Sequence, residues 1–368
     1  MYVITKNRYN QEQNHNINSS IFNYYDIMHK EFQKCVAVNR GTLTMRLIKQ
    51  RVIGHAPGRI CLLGDNVDLI ERPVLAAAIS AFLSISLQTR NDDRVILVAD
   101  DIDFQEEFIL GDELSLVSPL KYLEAVYQRL QSHIATGFEA TIQSQIPVSA
   151  GMSSSTALCI AFIRALSQTF DIPLDTAEIA ELSYMVEREN LNIECGRMDQ
   201  YAIAYGGVTY IDTGPAPSVE VIPIDSLPII VADTQEPHNT QQIQEWLQDR
   251  LRARDKVLVD SLLRVEELVE QGKAALLRRD LETLGALMSQ QQIEENIMGT
   301  STERLNTFCQ TAMEAGAWGA KQMGAGGGGC AVVLSPPEKK DTIQAALTSL
   351  GARAWIFEVY HNKDQNAL

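Results

Sequence analysis

The 368-residue chain is poor in positive charge: 31 Lys and Arg stand against 47 Asp and Glu, a formal net charge of -16. That excess repels phosphate backbones and anionic lipid surfaces at long range, so neither nucleic acid nor a membrane is an expected partner. A small anionic substrate stays compatible, because local groups at a site can oppose the global field. Long apolar runs are also missing. The stretch "PVLAAAISAFLSISL" is interrupted by serines and falls short of the roughly 18 apolar residues that a membrane-spanning helix needs. Cysteine is sparse and unclustered: Cys35, Cys61, Cys159, Cys195, Cys309 and Cys330 include no CxxC pair. This spacing excludes a disulfide framework and an iron–sulfur centre, and predicts reduced, mostly buried thiols in a cytoplasmic protein. The histidines form no HExxH or other close pair, which argues against a structural zinc site. No GxxxxGK[ST] occurs, so a Walker A loop with its built-in lysine is excluded. The start of the chain, "MYVITKNRYNQEQNHNINSS", lacks the apolar core of a signal peptide and is rich in Asn and Gln, and residues 1–44 are expected to form a disordered tail.

What is present fits a globular protein of two domains, given the length and a hydrophobic content of 45%. From Arg51 the texture is short and β-like: "RVIGHAP", "RICLLG", "LSISLQTR", "RVILVAD" and "EEFIL", separated by Gly, Asn and Asp. Apolar residues at Leu120, Leu123, Val126, Tyr127, Leu130 and Ile134 have the spacing of an amphipathic helix. Two further helical patterns cover Ser153 to Thr169 and Asp175 to Asn190. The Pro-rich "TGPAPSVEVIPIDSLP" marks a domain boundary, which gives an N-terminal domain over 45–222 and a C-terminal domain over 223–368. A long helical region runs on from Gln241 to Ala317, and the chain closes as strand, glycine loop, strand, helix, strand. The fold class is α+β.

The segment "PVSAGMSSSTALCIAF" runs from a strand end at Pro147 through Gly151 and three serines into a helix. Two readings stand at this point. One Ser before an apolar run is an ordinary helix N-cap. Three serines with a Gly exceed what a cap requires, and suit an anion site in which the helix N-terminus, its dipole and the hydroxyls meet a phosphate. A loop without a lysine needs another cation beside a triphosphate, most simply Mg²⁺ held by a carboxylate and a hydroxyl.

Three segments belong together: "APGRICLLGDNVDLIERPVLAAAI" at 56–79, "PVSAGMSSSTAL" at 147–158 and "GAKQMGAGGGGCAVVL" at 319–334. In order, spacing and content they resemble the three motifs of the GHMP small-molecule kinases, over essentially everything beyond the tail. Within that superfamily "ECGRMDQYAIAYGG" resembles the galactokinase Cys-Gly-x-Met-Asp-Gln segment, and His238 matches a galactokinase histidine. The resemblance implies an N-terminal domain similar to domain 2 of ribosomal protein S5, a ferredoxin-like C-terminal domain, and a site between them. It implies ATP-dependent phosphoryl transfer to a sugar hydroxyl, commonly the anomeric one. Carried over by position, Asp199 is the catalytic aspartate and Arg59 its cationic partner, and Ser155 and Glu187 are the Mg²⁺ ligands. Gly151, Ser153 and Ser154 would meet the ATP phosphates, with Gly326 and Gly327 in the third-motif loop Gly324 to Gly329. These roles fit phosphoryl transfer, in which positioning and electrostatics dominate. A carboxylate is a weak base for a sugar hydroxyl, so Asp199 is expected to orient that hydroxyl and accept its proton late.

Galactokinases typically read Gly-Glu-His-x-Asp-Tyr in the first motif, where this chain has Gly64-Asp65-Asn66-Val67-Asp68-Leu69. Asp65, Asn66 and Asp68 are the expected acceptor-binding residues. Asp65 has one methylene less than Glu, and Asn66 donates and accepts without a titratable proton. These changes put galactose itself in question and leave another hexose, a pentose, a deoxy sugar or a uronic acid open. The third motif is closer to the mevalonate kinase style. A mevalonate-type kinase is therefore the alternative acceptor class, and a sugar-sensing protein without catalysis is a further one.

Overall fold

The computed structural model describes residues 51–147, 151–236 and 239–362, and residues 49–368 cluster as one compact unit. The expected tail over 1–44 and His238 lie outside the described residues.

The first sheet is built around a long hairpin. Strand β1 (Val52–Leu63) pairs antiparallel with β2 (Val74–Thr89), from Val52 opposite Leu87 to Leu63 opposite Leu75. The two short strands expected before Gly64 are thus one, because the Pro57-Gly58 step is absorbed as a register shift rather than a turn. Along β2 the serines at 84 and 86 alternate with buried Leu83, Ile85 and Leu87, while the stretch Val74–Ile79 is buried throughout. The alternation marks a sheet with one covered face, and the continuous run one covered on both. β3 (Arg94–Ala99), β4 (Phe104–Ile109), β5 (Phe138–Ser144), β6 (Val208–Asp212) and β7 (Ser218–Ile222) complete the sheet in the order β4-β3-β5-β2-β6-β7, with β1 on β2. Helices α2 (Ser154–Phe170) and α4 (Met198–Tyr205) pack on this sheet, and α1 (Lys121–Leu130) and α3 (Thr176–Met185) pack against α2.

The second sheet starts after the Pro-rich segment. β8 (Ile229–Asp233), β9 (Gly319–Met323), β10 (Cys330–Leu334) and β11 (Arg353–Phe357) run antiparallel in the order β11-β8-β10-β9, the ferredoxin-like arrangement. The helical region between β8 and β9 resolves into α5 (Thr240–Arg252), α6 (Lys256–Leu277), α7 (Leu281–Met298) and α8 (Glu303–Glu314), with α9 (Lys340–Ser349) before β11. The chain then returns to the first sheet, where the Tyr360 amide donates to the Ala78 carbonyl at 2.9 Å. Among the described residues no helix is long and apolar enough to cross a membrane, and all five described cysteines are free.

Helix α2 is held at the sheet by aromatic packing. The fully buried Phe162 ring lies 5.9 Å from that of Phe138 on β5, and Phe170 lies 6.1 Å from Phe138 on the next turns. Because α2 carries the serine loop at its start, this packing sets where the loop points. Phe162→Ala is expected to cost about 3–5 kcal/mol through the cavity it leaves, read as a lower midpoint of denaturant unfolding. A midpoint equal to that of the unaltered chain would show that α2 is not anchored there.

Candidate active site

Strand β1 carries Arg59 into the cleft floor, with its guanidinium nearly buried. Its Nε donates to Asp199 Oδ1 at 2.7 Å, Nη2 lies 2.7 Å from the same oxygen, and Nη1 donates to the Gly151 carbonyl at 2.5 Å. One side chain therefore ties the first motif, the serine loop and α4 together. Burial alone would lower the Arg59 pKa; the Asp199 charge and hydrogen bond outweigh it, so the guanidinium stays charged.

Ser153 occupies the N-cap position of α2 in a left-handed conformation (φ 56°) and caps nothing. Its hydroxyl donates instead to Asp199 Oδ2. The capping reading of this serine is corrected: the left-handed backbone turns the hydroxyl away from the first-turn amides and toward the aspartate. Ser154 and Ser155 come next as the first helical residues, on the cleft wall. Ser155 shares that lining with Tyr122.

Glu187 is delivered by an irregularity. The pattern expected as one helix to Asn190 is α-helical only to Met185, and Val186–Asn190 forms a π-helical turn. Such a turn inserts a residue and re-aims the side chains after it. The Glu187 carboxylate accepts from the Thr156 hydroxyl at 2.8 Å and from Gln200 Nε2 at 2.7 Å, and no cation pairs with it among the described residues. Burial first, and then the Asp199 charge, push it up to about 7. Mg²⁺ requires one or two carboxylates with phosphate oxygens and waters completing the shell. A buried carboxylate without a counter-cation, close to the Ser155 hydroxyl in the cleft lining, fits such an ion.

The first-motif residues divide. Asp68 lines the cleft beside Gly196, where a Cβ would lie 2.1 Å from Asp68 Oδ2, so the Gly of the Cys-Gly-x-Met-Asp-Gln segment is required by this close approach. Burial first, then the charges of Asp199 and Asp65, push Asp68 up to about 7. Asn66 is 6% exposed, sits at φ 68°, and its Nδ2 has no hydrogen-bond partner. Asp65 departs from expectation. It is fully buried, its Oδ2 receives the Lys321 ammonium and Gln291 Nε2, and its Oδ1 accepts from the Gly324 amide at 2.6 Å. Asp65 also lines the cleft, but three of its carboxylate's acceptor positions are taken by the protein itself.

The loop between β9 and β10 closes the opposite side. Gly324, Gly326, Gly327, Gly328 and Gly329 all have positive φ, which L side chains rarely adopt. Together these elements bound a cleft of about 490 Å³. Residues that sequence reasoning missed also line it, chiefly Lys121 and Tyr122 at the start of α1. Lys121 makes no ion pair among the described residues, and its ammonium lies 5.8 Å from the Tyr122 ring centre. Nothing in the local pattern distinguishes it from a solvated helix start; the serine loop that lines the same cleft lies more than thirty positions away.

An anion cradle facing an arginine and an aspartate that hold each other is equipment for phosphoryl transfer to a small acceptor. The surrounding two-sheet fold is that of small-molecule kinases. Comparison with known proteins agrees: the model of the GHMP kinases N terminal domain matches residues 121–207, and that of the GHMP kinases C terminal region matches residues 273–353. The chain is 30% identical over 326 residues to the mevalonate kinase of Thermococcus onnurineus, covering 84% of this chain and 96% of that one. It is 25% identical over 329 residues to the galactokinase of Pyrococcus furiosus, covering 81% and 92%. In fold it is similar to the crystal structure of Methanococcus jannaschii mevalonate kinase, with a TM-score of 0.74 at 22% identity over 85% of this chain and 99% of that one. The chain belongs to the GHMP kinases, phosphotransferases that use ATP as phosphate donor.

The raised Asp68 pKa carries a stability consequence. An unfolded Asp titrates near 3.8, so between there and about 7 the native state holds a proton that the unfolded chain has lost. The stability this contributes is full below the lower value and is lost as pH rises through the higher one. Relative to the unaltered ligand-free protein, Asp68→Asn is expected to gain thermal midpoint progressively from pH 5 to pH 8. A midpoint difference that does not change with pH would contradict the buried, proton-holding Asp68.

Proposed function

We propose that the chain transfers the γ-phosphate of ATP to a hydroxyl of a neutral monosaccharide, with the anomeric hydroxyl as the expected acceptor. The observation that carries this reading is the chemistry of the acceptor side of the cleft. It offers the Asp68 carboxyl and an unpartnered Asn66 amide, which suit hydroxyls, and the one guanidinium there is already engaged by Asp199 and the Gly151 carbonyl. An acceptor bearing a carboxylate would need a cation that Arg59 does not have free. Unpaired buried donors make such a site discriminating, because an acceptor lacking the matching oxygen leaves them unsatisfied.

In this reading Asp199 orients the attacking hydroxyl and takes its proton late, while Arg59 holds the aspartate in place and faces the developing charge. The N-terminus of α2 with Ser153, Ser154 and Gly151 receives the phosphates. Glu187 and Ser155 would hold Mg²⁺, which when bound neutralises phosphate charge. Lys121, unpaired beside the serines, stands in for the lysine that the loop itself lacks. The mevalonate-type acceptor is kept as the second reading, because mevalonate kinases are among the relatives at 30% identity.

The test is ADP release from Mg²⁺-ATP across a panel of neutral sugars, uronic acids and mevalonate, with the phosphorylated position determined on any hit. Turnover on mevalonate with none on sugars would overturn the sugar reading. On the active acceptor, Asp199→Asn is expected to lower kcat by about 10²–10⁴-fold with nucleotide affinity near that of the unaltered enzyme. Near-normal turnover would remove Asp199 from the mechanism. Lys121→Met is expected to weaken ATP by about tenfold or more, as the loss of a charged hydrogen-bond donor does, with adenosine binding unchanged. Equal ATP affinity in both proteins would take Lys121 out of the phosphate site.

A further inference from the structure

Behind the cleft lies a buried polar cluster that takes no direct part in the roles assigned above. Asp65, Gln291, Glu295, Lys321 and Gln322 are all fully buried. Gln291 donates to Asp65 Oδ2 at 3.0 Å and to Glu295 Oε1 at 2.9 Å, and its own Oε1 accepts from the Gly64 amide at 2.9 Å. Glu295 Oε2 accepts from the Thr300 hydroxyl at 2.5 Å and from Gln322 Nε2 at 3.0 Å. The Lys321 ammonium meets Asp65 and donates to the Gln322 carbonyl at 2.8 Å.

The cluster grips the glycine loop at two points. At the start of the loop, the Gly324 amide donates to Asp65 Oδ1 at 2.6 Å. Further along, the Gly327 amide donates at 2.7 Å to the carbonyl of Thr300, whose hydroxyl is already bound to Glu295. Packing does little at the first point, since a Cβ built on Gly324 would meet nothing within 4 Å. A loop with five glycines at positive φ has many conformers available and no side chains to hold one of them. Hydrogen bonds from outside must choose the conformer.

We propose that the Asp65–Lys321 ion pair is what positions the glycine loop, so that Lys321, although absent from the cleft lining, is a positioning residue for phosphoryl transfer. A buried ion pair is costly to desolvate, and an apolar pair of similar shape is often as stable. Stability alone gives little reason to keep a lysine in the apolar strand β9. The pair gives Asp65 a fixed place from which its second oxygen can hold Gly324. The first motif is thereby fastened to the third, across 256 residues of sequence, and a movement of one shifts the other. The proposal rests on the reading of Gly324 to Gly329 as a wall of the nucleotide site.

The experiment compares the full chain with Lys321→Met, Asp65→Asn and the double variant carrying both. Each single change strands a buried polar partner and is expected to lower the melting temperature. The double variant removes both charges and is expected to melt close to the unaltered protein. Two readouts separate positioning from stability: Mg²⁺-ATP affinity by calorimetry, and amide exchange of the peptide spanning 319–330. The double variant is expected to bind Mg²⁺-ATP about 10–100-fold more weakly, the size of effect that supporting residues have on a bound group. Its loop amides are expected to exchange faster while those of α2 do not change. Unaltered affinity and loop exchange in a folded double variant would overturn the proposal, and so would a double variant that does not fold, since that assigns the pair to stability. An unaltered protein that binds no Mg²⁺-ATP would refute the nucleotide site instead, and loop exchange would still decide whether the pair holds the loop.

Discussion

Four carboxylates, those of Asp65, Asp68, Glu187 and Asp199, converge on one cleft in a chain whose net charge is already -16, and two buried cations make that convergence tolerable. Arg59 takes Asp199 and Lys321 takes Asp65. Removing charged groups from water costs several kcal/mol each, and the cost is offset only where a partner sits in good geometry with further hydrogen bonds around it. Both pairs meet that condition. Arg59 adds a bond to the Gly151 carbonyl, and Asp65 adds bonds from Gln291 and Gly324. The remaining two carboxyls have no ion-pair partner among the described residues, and burial pushes both up to about 7. The cleft is therefore divided by electrostatics before any ligand enters: two charges are already settled, and two groups still require a partner. In the proposed function these two meet opposite partners, Glu187 a cation and Asp68 hydroxyls.

Much of the fold was legible in the chain because it is written in local periodicity. The alternation in β2 and the helical spacing from Leu120 to Ile134 depend on near neighbours, and each corresponds to an element of the structure. The serine loop and the glycine loop could be read for the same reason. What was illegible depends on distant partners. That Ser153 turns from its own helix to Asp199 is decided by a backbone conformation that composition does not encode. Helix α3 gives way to a π turn at Val186, within which Glu187 is hydrogen-bonded to the distant Thr156 and to Gln200. The buried cluster was hidden most completely, because nothing local links Asp65, expected at the acceptor, to Gln291 and Lys321, which look like ordinary surface residues until the fold joins them. One trace was available in "GAKQMGAGGGG", where a lysine and a glutamine interrupt a strand that is otherwise small and apolar.

The departure of the first motif from the galactokinase pattern acquires a physical meaning from the fate of Asp65. In that pattern a Glu at this place faces the sugar; here the carboxylate is one methylene shorter and is drawn back under the glycine loop. Acceptor contact is then left to the next residues in the motif, and these are the two whose polar groups are unsettled: Asn66, with its unpartnered amide nitrogen, and Asp68, wedged against Gly196. On the proposed reading, the chain gains a fixed third-motif loop and in return recognises its acceptor with an amide and one carboxyl, a pairing suited to adjacent hydroxyls of an uncharged sugar. That reading also puts the residues proposed to choose the acceptor next to the one proposed to hold the nucleotide loop, all within Gly64–Asp68.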